Sequence, residues 1–242
     1  MSIPFYFLSD VHLGAGSPEL ERLKLARLKK LFAVIRDQPG PLYILGDLFD
    51  FWFEYRAVIQ SEHFEVLAEM LKLRQSGVEI TLLAGNHDYW TGPFLEKQLG
   101  FKIVKDDLTI DLDGQKVLLC HGDGLDQTDR GYRALKAVLR NPLSIRAFSL
   151  IHPDLAVSFA HWFSRFSRNH LTKHKNVDQA PLERQAARFF ALGYRAVVFG
   201  HTHQPTLKDM EGHVFLNLGD FFKNFTYAIY RNGKFKLEKI ID

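Results

Sequence analysis

Five short polar clusters in this chain carry residue types that do chemistry: Asp10-Val11-His12, Gly46-Asp47-Leu48-Phe49-Asp50, Gly85-Asn86-His87-Asp88, His121-Gly122-Asp123 and Gly200-His201-Thr202-His203. Their donors are carboxylates, imidazoles and a carboxamide, with no thiolate. Such a set suits Mn²⁺, Fe or Zn²⁺ better than a soft metal. Asp10, His12, Asp47, Asn86, His121, His201 and His203 make seven donors. Seven exceeds one catalytic site with an open position, and fits two divalent ions that share a carboxylate and leave room for water. Two ions about 3.5–4 Å apart can hold a hydroxide nucleophile and clamp a phosphoryl oxygen. The reaction class this points to is hydrolysis of a phosphate ester or anhydride. Each cluster also has an ordinary reading: Asp10-Val11-His12 alone reads as a cap, and Gly46-Asp47 alone as a turn. All five in order, each after an apolar strand, favour the dimetal reading.

The elements that must position these clusters follow from hydrophobic period. Strands are expected at Ile3 to Leu8, Leu42 to Leu45 and Val78 to Leu83, with helices at Glu19 to Arg36 and Phe64 to Gln75 between them. This rhythm implies a largely parallel sheet covered on both faces. Further strands are expected at Lys102 to Val104, Leu108 to Leu112 and Lys116 to Cys120, with Asp113-Gly114 as a hairpin turn. Asp126 to Ala191 reads as helical, broken at three prolines, before strands at Ala196 to Phe199, Val214 to Asn217, Phe225 to Arg231 and Phe235 to Ile241. Ligands of open α/β sheets bind outside the carboxyl ends of the strands, where all five clusters fall.

Composition bounds the rest. The chain has 242 residues, 46% of them hydrophobic and 24% charged, which excludes disordered, collagen-like and coiled-coil classes. Cys120 is the single cysteine, so an intramolecular disulfide framework and a Cys-based zinc or iron–sulfur site are excluded. MSIPFYFLSD lacks a basic n-region, and no stretch approaches the ~20 apolar residues of a bilayer span. A cytoplasmic protein is the expectation. The net charge of +3 is unevenly spread: residues 126–195 hold 12 Lys and Arg against five Asp and Glu, which leaves 19 against 23 elsewhere. One basic section on a nearly neutral body suggests a local anionic partner.

The ordered set resembles the calcineurin-like metallophosphoesterase superfamily, whose pattern is D-x-H, GD-x-x-D, GNH[DE], a lone His, then GHxH. The resemblance spans nearly the whole chain. It implies a single domain over 1–242, a four-layer α/β/β/α sandwich, with a helical cap inserted at about 126–191. It implies one metal on Asp10, His12 and His203, a second on Asn86, His121 and His201, and Asp47 bridging both. It implies that His87 protonates the leaving oxygen or stabilises its charge, and that Asp50 and Asp88 orient the ligand groups. It thereby makes Asp47 and His87 the expected catalytic pair.

Tyr43-Ile44-Leu45-Gly46-Asp47-Leu48-Phe49-Asp50-Phe51-Trp52 and His121-Gly122-Asp123…Asp129-Arg130-Gly131-Tyr132 look like the bacterial UDP-2,3-diacylglucosamine diphosphatases of lipid A biosynthesis. That resemblance implies two Mn²⁺ ions and release of UMP from an amphiphilic nucleotide-sugar lipid. It also implies work at the cytoplasmic face of the inner membrane. Substrate contacts would come from Asn86, His87, His201, Asp129 and Ser167. Members of that family read Arg where this chain has His87. A paralogue acting on nucleotides, nucleic acid or another phosphodiester is therefore the alternative, and a metal-poor interaction module is the alternative from another class.

The insertion carries Leu155, Val157, Phe159, Trp162, Phe163 and Phe166, with Arg165, Arg168, Lys173 and Lys175 beside them. Three readings stand. The aromatics pack the insertion onto the body, or they meet a lipid or membrane surface, or they stack bases along a strand of phosphates. His152, His161, His170 and His174 have no spacing that links them to a metal motif, and read as surface or substrate-contacting residues. Cys120 reads as a buried small residue.

Overall fold

The computed structural model describes residues 2–125, 130–171 and 179–241, and not the side chains of 163–171. Helix α1, Pro18–Asp37, starts where Ser17 accepts a hydrogen bond from the Leu20 N–H and Pro18 opens the first turn. It ends before Pro39-Gly40. Its buried face is Lys24, Leu28, Leu31, Phe32 and Ile35. Helix α2, Phe64–Gln75, buries Val66, Leu67, Met70 and Leu73.

Strands β1 (Phe5–Leu8), β2 (Leu42–Leu45), β3 (Ile80–Leu83) and β4 (Lys102–Val104) run parallel, with α3 (Pro93–Lys97) before β4. Strands β10 (Thr226–Arg231) and β11 (Lys234–Lys239) extend this sheet antiparallel beyond β1, giving the order β11-β10-β1-β2-β3-β4. The second sheet has the order β5-β6-β7-β9-β8, built from β5 (Leu108–Leu112), β6 (Gln115–Cys120), β7 (Ala196–Phe199), β8 (Thr206–Met210) and β9 (His213–Asn217). Its three central strands are parallel. Between β6 and β7 lie α4 (Arg130–Leu139), α5 (Pro142–Phe148), α6 (Pro153–Leu171) and α7 (Ala180–Ala191).

Strand alternation makes the layers. Tyr6, Leu8, Leu42, Ile44, Ile80 and Leu82 point at α1 and α2, whereas Phe7, Leu45 and Leu83 point the other way and pack on Val117, Leu119, Val198 and Leu216. The opposite faces of the second sheet, Leu118, Val197, Phe199 and Phe215, pack on Leu182 and Ala186 of α7. The order is thus helices, sheet, sheet, helix. A second sheet covers the far face of the parallel strands, which is the four-layer α/β/β/α sandwich that the resemblance implies.

Two elements have no counterpart in the hydrophobic pattern. Strand β8 is a charged edge strand, Thr-Leu-Lys-Asp-Met, whose exposed face carries no alternation. Helix α3 is five residues long, too short for a period. Val78 lies before β3 and not in it, because the strand begins where pairing with Leu42 begins. Three hairpins turn through Asp113-Gly114, Glu211-Gly212 and Asn232-Gly233, each with both residues at positive φ, as two-residue loops of this twist require.

Candidate metal centre and adjoining pocket

The parallel strands of both sheets end on one rim. β1 delivers Asp10 and His12, β2 Asp47, β3 Asn86 and His87, β6 His121, and β7 His201 and His203. Five of these residues sit in the left-handed region: φ is 53° at Asp10, 48° at His12, 52° at Asp47, 67° at His201 and 57° at His203. Non-glycine residues adopt it at a cost of order 1–3 kcal/mol each, and clusters of them mark functional sites. The backbone closes tightly around them. A Cβ on Gly85 would lie 2.1 Å from Asp47 Oδ1, and one on Gly200 would lie 2.6 Å from Asp10 Oδ2. The glycines of these two motifs therefore make room for the carboxylates.

The donors form two groups that meet at Asp47. Asp10, His12 and His203 bring ligand atoms together at one end, and Asp47, His121 and His201 at the other. Asp47 also groups with His12 and His87. His203 Nε2 lies 3.3 Å from Asp10 Oδ1 and 3.3 Å from His12 Nε2. Asp47 Oδ2 lies 3.3 Å from His121 Nε2 and 3.7 Å from His12 Nε2. Asn86 Oδ1 lies 3.1 Å from His121 Nε2. Every one of the seven predicted donors is therefore at this rim.

Neighbouring groups fix how the donors face. A carbonyl only accepts, so His121 Nδ1 carries the proton it donates to Leu45 O at 2.7 Å, which leaves Nε2 facing Asp47 and Asn86. His87 Nδ1 likewise donates to Asp50 O at 2.8 Å, and the His87 N–H donates to Asp47 Oδ1 at 3.0 Å. The His201 N–H donates to Asp10 Oδ2 at 2.9 Å. Asp88 accepts from the N–H groups of Asp47, Leu48 and Gly85, at 3.2, 2.7 and 2.8 Å, and so holds the Asp47 loop against the Asn86 loop. Asp50 Oδ1 lies 3.6 Å from His12 Nδ1 and 3.7 Å from His87 Nδ1. Asp50 and Asp88 thus both contact the groups that carry the donors.

The electrostatics are those of a cation site. Burial pushes the Asp47 carboxyl up, but His121, His87 and His12 outweigh it and hold it well below the usual range. Burial keeps His12 below its ordinary value and lowers His201 to about 4, so both stay neutral donors. Burial also opposes charging His121, yet Asp47, Asp10 and Asp123 lift it to about 10. Buried carboxylates here demand positive charge. Asp10 Oδ1 is buried with no hydrogen bond of good geometry, an acceptor facing the centre of the first group. Divalent cations fit both the donor set and this open acceptor.

A cavity of about 270 Å³ adjoins the rim. Asn86 and His87 line it on one side, and Phe51, Phe53, Trp90, Phe148 and Phe159 line its walls. Phe148 of α5 packs against Phe53 and Phe51, at 5.0 and 5.9 Å between ring centroids. The insertion thus does more than cover the sheet: it builds one wall of an apolar pocket that opens on the polar rim.

Several contributing residues gave no motif. Lys24, 1% exposed, donates to the His12 carbonyl at 2.6 Å and pairs with Glu21 at 2.8 Å; Glu21 in turn accepts the N–H groups of Gly14 and Gly16. A lysine three residues after a glutamate reads from sequence as an exposed helix pair. Asp123 gathers Lys136 at 2.7 Å and the Tyr132 hydroxyl at 3.2 Å, both from α4, and Arg140, just past its end, at 3.1 Å. His161 reaches Asp50 from α6. Asp129 lies outside the described residues. Ser167 lies on α6 among the residues whose side chains are not described.

Residues 3–205 match the calcineurin-like phosphoesterase family. The chain belongs to that family, and is a metal-dependent phosphoesterase. Among its relatives is the UDP-2,3-diacylglucosamine hydrolase of Porphyromonas gingivalis strain W83, 32% identical, with 100% of this chain and 99% of that one covered. The UDP-2,3-diacylglucosamine hydrolase of Neisseria meningitidis serogroup B is 31% identical, with 95% of each chain covered. That of Xanthomonas campestris pv. campestris is 33% identical, covering 85% of this chain and 84% of its own. An archaeal phosphodiesterase shares the fold at a TM-score of 0.50 and 14% identity, covering 97% of this chain and 98% of that one. Among the described residues, no helix is long and apolar enough to cross a membrane.

Proposed function

We propose that this chain hydrolyses UDP-2,3-diacylglucosamine to UMP and 2,3-diacylglucosamine 1-phosphate, with helices α4–α6 acting as a cap while α7 packs on the second sheet. The observation that carries the reading is the junction: a rim of metal-ligating groups sharing Asp47 opens directly into an apolar pocket walled by the insertion. A pyrophosphate with a polar nucleotide on one side and acyl chains on the other matches that junction. The names of the relatives support the same substrate.

In this reading Asp10, His12 and His203 hold one divalent ion, Asn86, His121 and His201 a second, and Asp47 bridges them. Mn²⁺ is the ion proposed, with Fe and Zn²⁺ compatible with the same donors. When bound, the two ions supply Lewis acidity and a nucleophile at neutral pH. The protein's own groups do the rest. His87, its Nδ1 proton committed to Asp50 O, keeps Nε2 for the leaving oxygen. His201 and Asn86 face the phosphoryl group. The apolar walls hold the acyl chains and keep water away from them.

Exposed Leu143, Leu150, Leu155 and Trp162 on α5, α6 and the segment joining them, with the basic excess of the insertion, favour contact with an anionic membrane surface, here the cytoplasmic face of the inner membrane. The test is UMP release from UDP-2,3-diacylglucosamine with Mn²⁺, with Asp47→Ala as control. Release that vanishes in the variant supports the reading. Protein that hydrolyses bis(p-nitrophenyl) phosphate but releases no UMP would be a paralogue for another phosphodiester.

A further inference from the structure

Helices α4 and α6 meet the body through polar contacts of different build. Helix α4 is tied at Asp123 by Lys136 and Tyr132 and by Arg140 just past its end, and Trp90 Nε1 donates to Leu139 O at 2.9 Å. On α6 the contact is made by His161. Its Nε2 hydrogen-bonds Glu62 Oε1 at 3.3 Å, and its Nδ1 lies 3.6 Å from Asp50 Oδ2. The imidazole passes over Gly14, where an added Cβ would meet His161 Cε1 at 3.4 Å and His63 Cε1 at 3.4 Å. Phe159 and Ala160, the two residues before it, line the apolar pocket.

What His161 grips is as telling as where it sits. Asp50 has its other oxygen 3.6 Å from His12 and 3.7 Å from His87. One carboxylate therefore faces the cap with Oδ2 and the catalytic rim with Oδ1. The Asp50 carboxylate beside it and the hydrogen bond to Glu62 hold the imidazole charged, raised to about 9. A charge-assisted contact of this kind is stronger than a neutral one, and truncating it leaves a buried carboxylate oxygen without its cation.

We propose that His161 is a positioning residue that latches the cap onto the catalytic body, bridging Glu62 and Asp50 so that the pocket is closed when Asp50 is set against His87. The proposal deepens the substrate reading above, because a closed pocket matters for an amphiphile and little for a small diester.

The experiment compares wild type, His161→Ala and His161→Gln on UDP-2,3-diacylglucosamine and on bis(p-nitrophenyl) phosphate, with metal content measured for each. The expected result is a fall in kcat/KM of about tenfold or more for the lipid in His161→Ala, carried mainly by KM. Hydrolysis of the small diester and bound metal should stay within about threefold of wild type, and Gln should recover part of the loss by donating to Glu62. Glu62→Gln should weaken lipid turnover too, and the double variant should be no worse than the weaker single one. Wild-type kinetics in His161→Ala would overturn the latch. An equal loss on both substrates would also overturn it, and would make His161 a support of the metal centre. Hydrogen exchange separates this from the substrate question: residues 153–162 should exchange faster in His161→Ala even if wild type releases no UMP. Unchanged exchange there would overturn the latch independently of the substrate.

Discussion

The rim and the cap of this molecule are built on opposite principles. The rim hangs on the ends of strands buried on both faces, and four of its seven donors, Asp10, His12, Asp47 and His121, are buried. Its backbone is strained at five donors and closed by glycines that admit no side chain. The cap is helical and basic, with Leu143 at 77% and Leu150 at 84% exposure. Charged contacts at Asp123, Asp50 and Glu62 join it to the body beside the packing of Phe148 on Phe51 and Phe53. On the proposed function, the contrast assigns each region its task. Bond-breaking needs donors fixed to fractions of an ångström, which only a packed sheet supplies. Choosing an amphiphile needs an apolar wall that can seat and unseat.

Perturbing the two regions should therefore give different kinetic patterns. The largest effect is expected from chelation: EDTA should reduce hydrolysis of both lipid and small diester to background, with activity restored by a divalent ion. Activity that survives on either substrate would separate the rim from the chemistry. Gly85→Ala comes next. Its methyl would collide with Asp47 Oδ1, so bound metal and turnover should fall together, read by metal analysis and rates on both substrates.

In the cap, Phe148→Ala removes an aromatic wall without touching a ligand. It should raise KM for the lipid about tenfold and leave the small diester unchanged. Equal loss on both would mean that Phe148 supports the rim through Phe51 and Phe53. The smallest effect is the pH response of α6. His161 faces Asp50, Glu62 and His63, and its value is raised from 6.5 to about 9. A raised imidazole stabilises fully below its unfolded value and loses that contribution as pH rises through the folded one. Protection of α6 amides, corrected for intrinsic exchange, should fall between about pH 6.5 and 9 in wild type and stay flat across that window in His161→Ala.

How far sequence reached divides along the same line. The gathering of the seven candidate donors was legible because each follows an apolar strand, and parallel strands gather their carboxyl ends on one rim. Strands β2, β4, β5 and β7 and helix α2 stand at their expected bounds. The supports of the rim were hidden. Lys24 sits within an amphipathic helix and looks solvent-facing, and its carbonyl partner is set by the loop's strained path. His161 carried no motif, because Asp50 and Glu62 come from distant segments. Charged edge strand β8 lacked alternation, since only its neighbour β9 enters the core. Pairings between separate elements, rather than period within one, account for most of what sequence did not show.

The most direct test of the account is the ratio of kcat/KM for UDP-2,3-diacylglucosamine to that for UDP-glucosamine, which offers a pyrophosphate without acyl chains. Burying chain methylenes at about 0.8 kcal/mol each makes a ratio of about a thousand or more the expected result. A ratio near one would contradict the account: the rim would hydrolyse the pyrophosphate unaided, and the apolar pocket would serve some other purpose.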